Sequence, residues 1–238
     1  MSVDVASPGN IHSKSFQTKM EIARALDRLC AGMAFDRIHI DAIAKEAGVS
    51  RSSFYHHFTD KNAVVQWLSL LFYANGIDRT GRTLTWFEGH LATTRGFRQF
   101  KSLFVAAANN TEYNSGQSFY IRHRQENLTK TITAYKGIEL TRRLAFQIEG
   151  LPYAEVVLAN NFEKDLYGIS LKEYCDLIVS IVPRELYEAL AEPVHREAIK
   201  GDFIFELLPG IQFLSPPRGG GGGRYIISRE QTMVLSKV

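Results

Sequence analysis

The stretch from Ile38 to Lys61, IHIDAIAKEAGVSRSSFYHHFTDK, constrains the fold more than any other part of the chain. Between Asp41 and Ala47, the residues Ala42, Ile43, Ala44 and Ala47 give one small apolar side. Gly48 stands where a helix stops by entering the left-handed region, which glycine enters at least cost. Ser50 carries a side-chain oxygen that can accept the free N–H groups opening a second helix, over about Arg51 to Phe58. Asp60 offers the same cap to a third helix starting at Lys61. Two short helices crossing at a glycine turn form a helix-turn-helix unit, whose second helix is the one that enters a DNA major groove.

At about 100° per residue, Phe54 and Phe58 share one face of that second helix, which must be buried. Ser52, Ser53 and His56 lie opposite, with Arg51, Tyr55 and His57 on the flanks. The outward face is short, polar and free of acids, so it can approach base edges closely. Arg51, Ser52, Ser53 and His56 are expected to face bases, with the forked donors of Arg51 suited to guanine. Tyr55, His57 and Lys61 are expected on phosphates, from the flanks or a neighbouring helix start. The bland alternative is a surface helix of any small helical domain.

These residues resemble the DNA-binding region of the TetR (tetracycline-repressor) family of bacterial transcription regulators. The resemblance rests on Ile43–Ala44, the Ala47-Gly48-Val49-Ser50 run, Phe54–Tyr55, Phe58 and Lys61, preceded by an amphipathic helix and Phe35. It covers roughly Phe16 to Leu68. Two positions depart from the pattern: Ala34 stands where a glycine commonly closes the first helix, and His39 where a threonine commonly touches a phosphate. A histidine can still donate there, so His39 joins the expected phosphate contacts. The resemblance implies a symmetric dimer on a pseudo-palindromic operator. It also implies an effector pocket in the domain that follows the head, and a dimer interface made by the last two long helices.

The net charge is only +3. From Lys14 to Lys61 eight basic residues face six acids. That is a modest footprint for a nucleic-acid binder, and two copies on one site would bind better than one. Cys30 and Cys175 are far apart in sequence and suit buried free thiols in a reducing cytosol. The first residues lack a basic start and an apolar stretch, so no signal peptide is expected, and the apolar run at 64–73 is too short to span a bilayer. A cytoplasmic protein is expected.

In chain order, 1–13 reads as a flexible arm and 14–75 as the helix-turn-helix domain with its connecting helix. Within it, Phe16, Met20, Ala23, Leu26, Cys30 and Met33 recur at helical spacing, with Thr18 and Glu21 spaced as a capping box. The glycine-containing break GIDRTGRT leads into a helical domain over 76–214. One helix is expected over 84–109 with an interruption at Gly96. Others follow over 118–135 and 140–167, the latter with a break at Pro152, and the last runs from 171 to 190. Residues 203–214 are apolar and short, and 215–238 form a flexible Gly-rich tail by composition. Strand-like alternation is scarce, so the expected fold is all-α, with about nine helices.

Catalytic and metal constellations are missing from the sequence. His90 with Glu88, and His123 with Glu126, read as solvated surface pairs. There is no zinc-spaced Cys–His cluster, phosphate-binding loop or nucleophile elbow. No enzyme activity, metal or cofactor is therefore expected. The aromatic load of the second domain supplies a core and can also line a pocket, for which Phe100, Phe104, Phe119, Tyr120, His123 and Phe146 are the candidates. An apolar face on the last long helix, Leu171, Tyr174, Ile178 and Val182, is the expected dimer contact. The reading is a DNA-binding regulator, a repressor released by a small molecule and without a membrane partner. Its rivals are a ligand-independent DNA-binding protein working through a protein partner, and a helical enzyme or scaffold that retained the head.

Overall fold

Short polar side chains open the helices at the places where chain direction changes. Ser13 Oγ accepts the Phe16 N–H at 3.2 Å and Ser50 Oγ that of Ser53 at 3.0 Å. Asp60 Oδ1 accepts from Ala63 at 2.8 Å, and Ser170 Oγ from Glu173 at 3.2 Å. Thr85 and Glu88 cap each other reciprocally. The computed structural model describes residues 13–108, 114–163 and 168–194. Among these it has ten α-helices and no strand, so the fold is all-α. The arm at 1–12, the apolar segment 203–214 and the tail 215–238 lie outside the described residues.

The helices are α1 (Lys14–Cys30), α2 (Ile40–Glu46), α3 (Arg51–His57), α4 (Lys61–Asn75) and α5 (Trp86–Gln99). They continue as α6 (Lys101–Ala108), α7 (Asn114–Lys130), α8 (Arg142–Glu163), α9 (Leu171–Ser180) and α10 (Arg184–Leu190). Three local expectations change. Ser13 caps α1, while Thr18 lies inside it and donates to the Lys14 carbonyl. Pro152 sits buried within α8 without ending it. The helix expected over 84–109 does divide, but at Phe100 and not at Gly96. Gly96 is required mid-helix because the Phe72 ring passes within 2.5 Å of where a Cβ would stand. The break at Phe100 is fixed from outside: Asp27 of α1 accepts the Leu103 N–H at 2.8 Å and so caps α6.

The first core joins Phe16, Met20, Ile22 and Leu26 of α1 to Ile43, Phe54 and Phe58 of the helix-turn-helix unit. Val64, Val65, Leu68 and Phe72 of α4 continue it, and it runs on through Phe100, Leu103, Phe104 and Ala107. A second core packs Trp86 with Leu128 of α7, Ile132 just beyond it, Leu144 and Ile148 of α8 and Leu186 of α10. A third stacks Phe162 on Tyr174, with Cys175 and Ile178 beside them. Each fully buried aliphatic or phenyl group contributes about 1.5–3 kcal/mol. The frame that carries the outward face of α3 is therefore anchored on both sides of residue 76.

Candidate nucleic-acid interface and interior cavity

The turn between α2 and α3 is closed by two backbone bonds. Val49 N–H reaches the Ala44 carbonyl at 2.9 Å and Gly48 N–H the Lys45 carbonyl at 3.2 Å, with Gly48 at φ +67°. This is a Schellman closure, which needs the left-handed residue that glycine supplies. It orients α3 so that Phe54 and Phe58 are buried, while Arg51, Ser52, Tyr55 and His56 share the exposed side. Ser53 is half-buried. His39 is the exposed first cap of α2, and its side chain makes no capping bond. His57 is half-buried against its edge-on neighbour His56. Burial first, then His56 and Lys19, hold its pKa below the ordinary 6.5.

Two cations behave differently from expectation. Arg51 Nη1 lies 3.0 Å from both Asp41 carboxylate oxygens, and its guanidinium sits over the Tyr55 ring. Arg51 is thus held by an acid from α2. Lys61 is not turned toward a phosphate. Its ammonium donates to the carbonyls of Phe35 at 2.6 Å, Asp36 at 3.0 Å and Ile38 at 3.0 Å. Three N–H donors meet three carbonyls, so Lys61 ties the end of the Phe35–Arg37 turn to the start of α4 and has none left for DNA.

Behind α4 and α5 lies a cavity of about 130 Å³. Tyr73, Phe97, Phe104, Tyr120 and Tyr174 give it aromatic walls, and His90 and Glu155 meet on its polar side. Glu155 is 3% exposed and accepts from Tyr120 Oη at 2.6 Å. Arg124, 0% exposed, gives it Nε at 3.3 Å and Nη2 at 3.4 Å, while Nη1 donates to the Ile77 carbonyl at 2.9 Å. Burial alone would push the Glu155 pKa up, but Arg124, His90 and Tyr120 outweigh it and hold the carboxyl below its usual range. Burial pushes His90 down to about 4, against the pull of Glu155, so the imidazole is neutral. Neither expected surface histidine pair exists: His90 is buried on the cavity, and His123 bonds Asp78 at 2.8 Å.

Of the six pocket candidates, Phe104 and Tyr120 line the cavity. Phe100 belongs to the first core, and Phe119 stacks on His123. Phe146 is 77% exposed on the outer face of α8, so it is no part of an interior pocket. The cavity residues that went unread, His90 and Glu155, sit among apolar neighbours at helical spacing; a charge on an otherwise apolar face was the available signal. The proposed dimer residues are also corrected. Tyr174 and Ile178 are buried inside the protomer and Leu171 is half-buried, because α9 turns that face onto Phe162 and Leu91, and Val182 is buried in the second core beside Leu186. The exposed apolar groups are instead Phe146, Tyr153 and Val157 of α8 with Leu177 and Ile181. Phe146, Tyr153, Val157 and Ile181 border a shallow groove that continues to Pro183. No group of three or more metal-ligating side chains occurs among the described residues. No helix among them is long and apolar enough to cross a membrane.

Residues 22–67 match the family model described as "Bacterial regulatory proteins, tetR family". No curated protein matches the sequence significantly. Ten solved chains match. One, "Dihydroxyacetone kinase operon activator DhaS", superposes with a TM-score of 0.55 at 17% identity, over 74% of this chain and 98% of that one. At that identity the likeness speaks for the fold alone. The family match covers the turn-linked helices on which the exposed Arg51–Tyr55–His56 face is built, so the chain carries a DNA-binding head of the tetR-family type over residues 22–67.

Proposed function

We propose that this DNA-binding regulator is a repressor that binds a pseudo-palindromic operator as a homodimer and is released by a small molecule held in the α4–α8 cavity. The observation that carries the DNA reading is the acid-free exposed face of α3, Arg51, Ser52, Tyr55 and His56, mounted on a capped turn. Ser53 contributes from its edge, while His39 and His57 stand where phosphates would pass. Dimerisation is supported by the apolar face of Phe146, Tyr153, Val157, Leu177 and Ile181, which a lone protomer leaves in water. Ligand control is supported by the cavity and by Arg124, which links Glu155 on its wall to the Ile77 carbonyl just beyond α4. A shift in that link moves the end of the helix that carries the head.

Selection of bound DNA from a random pool with purified protein is the decisive measurement. An inverted repeat with half-sites about one helical turn apart, or a multiple of it, is expected. Recovery of single half-sites, with monomers in sedimentation at micromolar concentration, would overturn the dimer. A reporter driven by the recovered site distinguishes repression from activation: deletion of the regulator should raise its output.

A further inference from the structure

The His90 Nε2 atom is buried on the cavity wall and has no hydrogen-bond partner. It lies 3.5 Å from Glu155 Oε1, but without the alignment of a hydrogen bond. His90 as a whole is 5% exposed, so bulk water does not satisfy it. A buried polar atom left in this state is exceptional in a folded protein and calls for a guest.

We infer that the cavity takes an uncharged single-ring aromatic bearing a hydroxyl, its oxygen between His90 and Glu155 and its ring against the aromatic walls. This rests on the ligand-release reading above and specifies the ligand class. Size comes first: the volume is about 130 Å³, and an apolar cavity of about 150 Å³ accommodates benzene. The walls come second, since Tyr73, Phe97, Phe104 and Tyr174 present ring faces and edges to a ring. The polar end comes third. A hydroxyl both donates and accepts, so it can give its proton to Glu155 Oε1 and accept from His90 Nε2–H, about 2.8 Å from each. A carbonyl or a methyl group satisfies one of these or neither.

Charge excludes the ionic alternatives. Among the described residues no lysine or arginine lines the cavity, and each nitrogen of Arg124 already donates to Glu155 or the Ile77 carbonyl, so no cation is placed there to receive an anion. Glu163 also lines the cavity and opposes one. A cationic guest would have to displace Arg124 from Glu155, and Arg124 has no route to water at 0% exposure.

The test uses the full-length protein with four probes: phenol, toluene, benzoate and benzyltrimethylammonium, read by melting temperature and calorimetric titration. Phenol should bind at least about tenfold tighter than toluene, the worth of one buried hydrogen bond, and the two ions should not bind. His90→Leu should abolish the preference for phenol while retaining toluene, and His90→Gln should keep part of it. If the leucine variant does not fold, the glutamine variant and the ranking in the parent decide. Equal binding of phenol and toluene, or tighter binding of either ion, overturns the ligand class but leaves a ligand-binding cavity. Binding of none of the four at millimolar concentration overturns the class and the ligand-release reading together. An operator complex that forms normally in that case leaves the DNA-binding assignment standing.

Discussion

In the free protein Arg51 is occupied by Asp41, so reaching a base means exchanging one carboxylate for another acceptor. Both groups are exposed, and such pairs are weak. Asp41→Asn should therefore tighten operator binding severalfold, while Arg51→Ala should weaken it roughly tenfold or more and relax preference at one position per half-site; binding titrations on the selected operator and a scrambled one check both. Lys61→Met should behave differently. It leaves three carbonyls with one donor fewer each, so it should lower stability by about 1–3 kcal/mol and leave the salt dependence of DNA binding unchanged. Denaturant melts and a salt series separate these effects. His90 gives a pH signature. Its folded pKa, about 4, lies below the ordinary 6.5, so the unfolded chain binds the extra proton more readily. The stability it contributes is complete above pH 6.5 and is lost as the pH falls from 6.5 toward 4. At pH 5 the loss is on the order of 2 kcal/mol, and His90→Gln should flatten the stability profile between pH 7 and 5. The depressed pKa of Glu155 acts in the same direction, below its ordinary 4.5.

At the scale of single helices, what could be read depended on whether the cause was local. The α2–α3 unit was legible residue by residue, because its caps and its left-handed glycine act within a few positions. The end of α5 was not, because the cap that opens α6 is Asp27, supplied from α1. The faces of α9 were misread for a related reason. It carries apolar groups on two sides, and spacing alone cannot say which side meets the protomer's own core. The structure turns Tyr174 and Ile178 inward and Leu177 outward. Two substitutions on this surface should therefore have opposite outcomes. Tyr153→Glu or Val157→Glu should yield folded monomers by sedimentation with an unchanged circular dichroism spectrum. Ile178→Glu should unfold the protein, since it buries an unpaired carboxylate.

Across the whole molecule, charge pairs were the least legible feature, because sequence spacing does not reveal that Arg124, Glu155 and the Ile77 carbonyl converge. The aromatic excess of the second domain was visible, but which rings face a cavity depends on how α4, α5, α7 and α8 come together. The first core also crosses the chain position where a boundary would be drawn from glycine content. A scan by calorimetry should accordingly show the head and α5–α6 melting in one transition, and a fragment of residues 13–75 should be unfolded at temperatures where the parent is fully native. For engineers who build sensors by exchanging heads among regulators, this makes the protein a poor donor of parts. A head moved onto a foreign body would arrive without Phe100, Leu103, Phe104 and Ala107, and the graft would succeed only if the junction were placed after Ala108.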